Sequence, residues 1–284
     1  MPSPIGRLLI GVSVILIVLV VPARAADIRP ASDEIYQGWL CMYDLRFDEA
    51  HRVFGRWREA HADDCLAPAS DAAAYLFSEL ARLGSLEAGL FVDDARFKNR
   101  EKLSPDPVIK SHFIEEIATA DRLADVALQK ADNDTTALLV KSLTCGLRAN
   151  YAALIDKQSL AALSYTKEGR PFAERLLAAD PGAFDAYLGP GIENYLLSLK
   201  SAPLRFILRI TGSETDREKG MEELRRTSLH GHYLEPFAKL LLAVAALRDD
   251  KPARAVALLT ELHDRFPHNE LYARELARIA AGEQ

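Results

Sequence analysis

The sequence has no basic excess and little cysteine. It carries 35 Lys and Arg against 41 Asp and Glu over 284 residues, a formal net charge of −6. A nucleic-acid-binding surface ordinarily brings clustered Lys and Arg and a basic balance. No such cluster is present, so no nucleic-acid partner is expected. The motifs that carry common chemistries are missing as well. There is no Gly-x-Ser-x-Gly elbow, no His-Glu-x-x-His zinc helix, no phosphate-binding glycine loop and no Cys-x-x-Cys pair. The sequence therefore points to no cofactor, no metal site and no catalytic residue. Alternating apolar strands and Asn-Gly or Asp-Gly hairpin turns are absent too, which argues against a sheet. With 49% hydrophobic residues, the chain is still long enough to bury a sizeable core.

What is present begins with an apolar N-terminal run. Arg7 supplies a positive charge, and Leu8 to Val21 is apolar except for Gly11 and Ser13. Pro22 then breaks the run, and Ala23-Arg24-Ala25 offers a small-x-small cleavage site. This order is that of a secretory signal peptide. As a helix the run would rise about 21 Å, short of the roughly 30 Å of a hydrocarbon core. Residues 1–26 are expected to be a signal peptide, cleaved after Ala25 or Ala26, with a retained membrane anchor as the alternative. No cysteine lies nearby to take a lipid. The remainder, 27–284, is expected to be exported, to a bacterial periplasm. An oxidising compartment raises the question of Cys41, Cys65 and Cys145. An odd number leaves at least one thiol free. Cys41 and Cys145 sit in apolar helical patterns and read as small buried residues. Cys65 follows the loop Ala62-Asp63-Asp64, and a disulfide stays open.

Residues 27–284 show helical periodicity almost throughout. Short polar breaks punctuate it, among them Ser104-Pro105-Asp106-Pro107, Asp132-Asn133-Asp134, Asp180-Pro181-Gly182 and Asp249-Asp250-Lys251-Pro252. The breaks recur, and so does a spacing. Ala243 lies on one helix, running from about Tyr233 to Arg248, and Ala255 stands twelve residues later on the next. Leu259, Leu262 and Pro267 follow Ala255 by four, seven and twelve. Small residues at a crossing let two helices approach closely, and proline ends the unit. Gly38, Ala50 and Phe54 repeat the spacing, with Ala62 in the terminating place. Ala120, Ala124 and Ala127 repeat part of it before Asp132. Gly191, on a helix from Asp185 to Leu199, faces Gly220 and Leu224 on a helix from Arg217 to Ser228. Asn269 to Ala281 is a lone last helix.

This pattern resembles the tetratricopeptide repeat (TPR). Phrases such as Asp185-Ala186-Tyr187-Leu188-Gly189 and Asp216-Arg217-Glu218-Lys219-Gly220 are similar to those of exported bacterial TPR-containing proteins without an assigned activity. The resemblance implies an all-α fold: an irregular TPR-like superhelix of about five helical hairpins plus a C-terminal capping helix. Extra residues would sit inside hairpins, around Asn150–Gln158 and Lys200–Asp216. The resemblance further implies a concave face, lined by first helices, that receives a protein or peptide partner of the cell envelope. Ile192, Tyr195, Leu240 and Val244 would line it, with Tyr187, Asn194 and Arg148 nearby. A scaffold or adaptor is the expected function. The alternatives are a structural subunit of an envelope assembly, or an enzyme with a small-molecule pocket under residues 200–216.

Three other features invite sharper readings. Asp185 and Glu193, eight apart on one predicted helix, could pair as glycosidase carboxylates, although most acids here belong to solvated helix faces. His230 and His232 flank Gly231, and a His-x-His pair binds metal when further ligands converge. The apolar stretch 202–210 carries Arg205 and Arg209 one turn apart. It could touch a membrane surface or a partner, or pack on the core with its arginines reaching water.

Overall fold

Two of the polar breaks, at Asp106 and Asp134, are helix caps, and Asp216 and Asn269 cap helices in the same way. Asp106 accepts hydrogen bonds from the N–H groups of Val108 (2.8 Å) and Ile109 (3.2 Å), with Pro107 at the first helical position. Asp134 accepts from Ala137 N–H (2.8 Å), Asp216 from Lys219 N–H (3.0 Å) and Asn269 from Leu271 N–H (3.1 Å). Each cap satisfies donors that the first turn of a helix leaves unpaired. A computed structural model describes residues 32–84, 103–200 and 215–282. The expected signal peptide and the stretch 202–210 lie outside the described residues.

Among the described residues there are eleven α-helices and no strand. They are α1 (Ser32–Tyr43), α2 (Phe47–Ala60), α3 (Leu66–Arg82), α4 (Pro107–Lys130), α5 (Thr135–Asn150), α6 (Ser159–Ala179), α7 (Leu188–Ser198), α8 (Arg217–His230), α9 (Glu235–Arg248), α10 (Pro252–Arg265) and α11 (Glu270–Ala280). A π turn, Tyr151–Ile155, extends α5, and a 3-10 turn, Phe184–Tyr187, leads into α7. The fold is all-α. None of the described helices is long and apolar enough to cross a membrane. Chain neighbours pack in pairs: α1 on α2, α3 on α4, α5 on α6, α7 on α8 and α9 on α10, with α11 against α10. The extra residues expected at 150–158 are the π turn and the short loop after it.

Small residues set the pair crossings. A Cβ added at Gly38 would come within 2.3 Å of the Phe54 ring. At Gly220 it would lie 2.6 Å from the backbone nitrogen of Tyr195 and 2.8 Å from Asn194 Cβ. A backbone cannot rotate away as a side chain can. Gly220→Ala is therefore expected to push α7 from α8 and cost about 1–3 kcal/mol. The loss would be read as a lower urea midpoint at unchanged slope. The turns of the first and last pairs also correspond. Leu45 and Asp250 each stand seven residues after the small residue of their first helix, Gly38 and Ala243, and both are left-handed, with φ of 58° and 56°.

The two ends of this array meet. The Tyr43 hydroxyl donates to the carbonyl of Tyr233 (2.9 Å), and the Asn269 amide donates to the carbonyl of Tyr43 (2.8 Å). Asp44 accepts the backbone N–H of His268 (2.9 Å) and pairs with its ring (2.7 Å). Arg265 donates to the Tyr36 hydroxyl (2.7 Å). The Trp39 and Tyr233 rings lie 5.7 Å apart, as do those of Tyr43 and Phe266. A concave face of the kind the repeat resemblance implies would be an open groove. Here α1 closes onto the segments flanking α9 and α10, so the inner surface becomes a half-enclosed cavity.

Candidate functional site

The first helices of the pairs, α1, α3, α5, α7 and α9, turn their inner faces toward that cavity. It has two lobes that meet at Phe77, Asn150, Ile192 and Phe237. The inner lobe encloses about 890 Å³, open solvent at its mouth included. Its apolar wall includes Trp39, Tyr43, Leu143 and Leu234, and its polar wall Ser142, Asn150, Tyr165, Arg170 and Glu193. The outer lobe encloses about 1320 Å³, again with open solvent. It is lined by Leu76 and Leu80 of α3, Leu154 of the π turn after α5, Tyr195, Leu196 and Leu199 of or next to α7, and Leu240, Leu241 and Val244 of α9. Lys200 and Arg248 stand in its lining, and no carboxylate does among the described residues. Concave, mostly apolar clefts with a few polar groups are where ligands usually bind.

Of the seven residues expected on the binding face, Ile192, Tyr195, Leu240 and Val244 come together in the outer lobe. The other three bind helices to one another. Arg148 pairs with Asp121 of α4 at 2.5 Å. Asn194, fully buried, donates to Glu223 (3.1 Å) and accepts from Asp216 N–H (3.3 Å), which fastens α7 to the start of α8. The Tyr187 hydroxyl accepts from Arg226 (3.2 Å), whose guanidinium lies over the Tyr187 ring. The cause is helical phase. Positions 192, 195, 196 and 199 share one face of α7, and 194 lies off it. The same periodicity runs through Phe77, Leu80, Leu196 and Leu241, lining residues that the repeat spacing did not single out.

The buried acids already have partners. Asp185 accepts three backbone N–H groups, from His232, Tyr233 and Leu234, each at 3.0 Å. Burial raises its pKa above the usual carboxylate range, and the three donors pull back against that rise. Glu193, with only 1% of its side chain exposed, lies 3.1 Å from Arg170. The two carboxylates thus serve separate structural contacts. His232 stacks on Tyr36 (centroids 4.3 Å) and His230 packs on Phe184 (4.8 Å). Among the described residues no group of three or more His, Cys, Asp and Glu could hold a metal ion. Cys41, Cys65 and Cys145 are buried and unpaired. Burial pushes the Cys65 thiol up to about 12 and that of Cys145 to about 11, so neither supplies a thiolate at neutral pH.

An all-helical array closed around a two-lobed cavity is the class of protein these observations define. Neither a protein-family model nor a curated protein matches the chain.

Proposed function

We propose that this chain is an exported binding module of the tetratricopeptide kind, which holds a protein or peptide partner by an apolar segment seated in the outer lobe. The paired helices, the tight crossings at Gly38 and Gly220 and the matching left-handed turns at Leu45 and Asp250 support the repeat reading. The observation that carries the binding reading is Leu196. It is 48% exposed, yet it sits in one lining with Ile192, Tyr195, Leu240 and Val244. Apolar surface left accessible in a concavity marks a place where another apolar group can be buried. Among the described residues its lining has no carboxylate to repel an acidic flank of the partner.

The test compares the full-length protein, tagged at its C-terminus, with Leu196→Asp in an exporting host, by cross-linking in the envelope and mass spectrometry. A charge in the lobe would have to lose its hydration on binding, so capture of a reproducible partner should fall by about ten-fold or more. Helicity and melting temperature should hold, because Leu196 is half exposed. A partner retained equally by the variant, or no reproducible partner at all, overturns the reading.

A further inference from the structure

A stripe of uncharged polar groups crosses the inner lobe. Ser142, Gly146 and Asn150 follow one another on α5 at intervals of four residues, so they share a helix face, and all three line the lobe. The side chains of Ser142 and Asn150 make no hydrogen bond to another described residue. Gly146 between them is not explained by packing. Its backbone is not left-handed, and a Cβ added there would meet nothing within 4 Å. Gly169, by contrast, crosses Cys145 so closely that its Cβ would come to 2.8 Å. Glycine inside a helix weakens it relative to alanine. At Gly146 what the glycine leaves is space in the lobe. Gly189 borders the same space, since a Cβ there would come no nearer than 4.0 Å, to the Ser142 hydroxyl.

The charged groups of the lobe are engaged within the fold. Arg170 pairs with Glu193, and Asp185 is occupied by backbone N–H groups. We propose that the inner lobe binds an uncharged amphipathic small molecule. Its hydroxyl or amide groups hydrogen-bond Ser142 and Asn150 across Gly146, and its apolar body lies against Phe77, Ile192 and Phe237. A carboxylate ligand would lose its hydration here, with Arg170 already held by Glu193. A wholly apolar one would cover Ser142 and Asn150 and leave their hydrogen bonds unmade. The site shares Phe77, Ile192 and Phe237 with the seat of the partner, while Ser142 and Gly146 belong to the inner lobe alone and Leu196 to the outer lobe alone.

Titration calorimetry of the full-length protein with 1-octanoylglycerol, and with octanoate of the same chain length, tests the proposal. The neutral ester should bind one per chain, and octanoate about ten-fold or more weaker. Gly146→Leu fills the space and should weaken 1-octanoylglycerol about ten-fold or more, with the circular dichroism spectrum unchanged. Gly146→Ala should raise the melting temperature and keep binding, as a methyl group fills little of the lobe. Should Gly146→Leu fail to fold, Asn150→Leu carries the same expectation. Leu196→Asp should leave ester binding intact, so failure of the partner reading and failure of this one are told apart. No saturable binding of the ester, equal binding of octanoate, or binding indifferent to residues 146 and 150 overturns the proposal.

Discussion

Unfolding in urea is expected to give one transition, seen at the same midpoint by tryptophan fluorescence and by circular dichroism, and Asp44→Ala should lower both midpoints together, by a loss of about 2 kcal/mol in stability. Both tryptophans of the chain, Trp39 and Trp57, lie in the α1–α2 pair, so fluorescence reports that pair alone. Circular dichroism reports every helix. In an open repeat array each unit touches only its neighbours, and a terminal unit can fray by itself. Here the first pair also touches the last. Asp44 holds the backbone N–H and the ring of His268, Tyr43 bonds to Tyr233, and Asn269 bonds back to Tyr43. Losing the first pair would expose Tyr233 and Phe266, which are 5% and 2% exposed. The cost of that exposure couples the ends. A fluorescence midpoint well below that of circular dichroism would show that the ends separate first and that the closure is weak.

Asp185→Ala is expected to destabilise the protein by about 3 kcal/mol or more, the largest loss of any single substitution considered. The carboxylate joins two distant parts of the chain. It starts the turn before α7 and takes the three N–H groups that precede α9. Alanine would leave those donors buried without acceptors. Gly231 shows how tight the joint is, because a Cβ there would come within 2.8 Å of the Asp185 carboxylate. The loss should also depend on pH. Burial sets the folded pKa of Asp185 above its unfolded value, so the folded protein holds this proton more tightly than the unfolded chain. The contribution of Asp185 is then fully present below the usual carboxylate range and shrinks as pH rises through the raised folded value. The difference between wild type and Asp185→Ala, from urea midpoints, should be larger at acidic pH than at neutral pH. A constant difference would show that burial does not shift this group.

Much of the helical plan was legible. Asp106 and Asp134 could be read as breaks because a cap acts on N–H groups two or three residues away. The crossing of α7 and α8 could be read from Gly191 and Gly220, since close approach of two helices needs small residues at the contact. The apolar outer lobe was partly legible for the same kind of reason. Ile192 and Tyr195, like Leu240 and Val244, sit at helical intervals on one face. Asn194 was misplaced because a polar residue beside a lining position can point to the next helix as readily as to a cavity. Its partner, Glu223, lies on α8, the second helix of the same pair. The polar stripe of α5 passed unnoticed, because Ser142, Gly146 and Asn150 gain meaning only from the empty space in front of them.

By itself the sequence determined the all-helical character, several helix bounds and which small residues let neighbours cross, because caps, periodicity and packing spacing act over a few residues or between chain neighbours. Only the tertiary structure decided that the array closes on itself and forms a cavity with a polar stripe on one wall. The contacts responsible join Tyr43 to Tyr233, Asp44 to His268 and Tyr36 to Arg265. Groups that far apart in the chain leave no spacing to read, and they meet only when the twist accumulated over all the intervening helices brings them together.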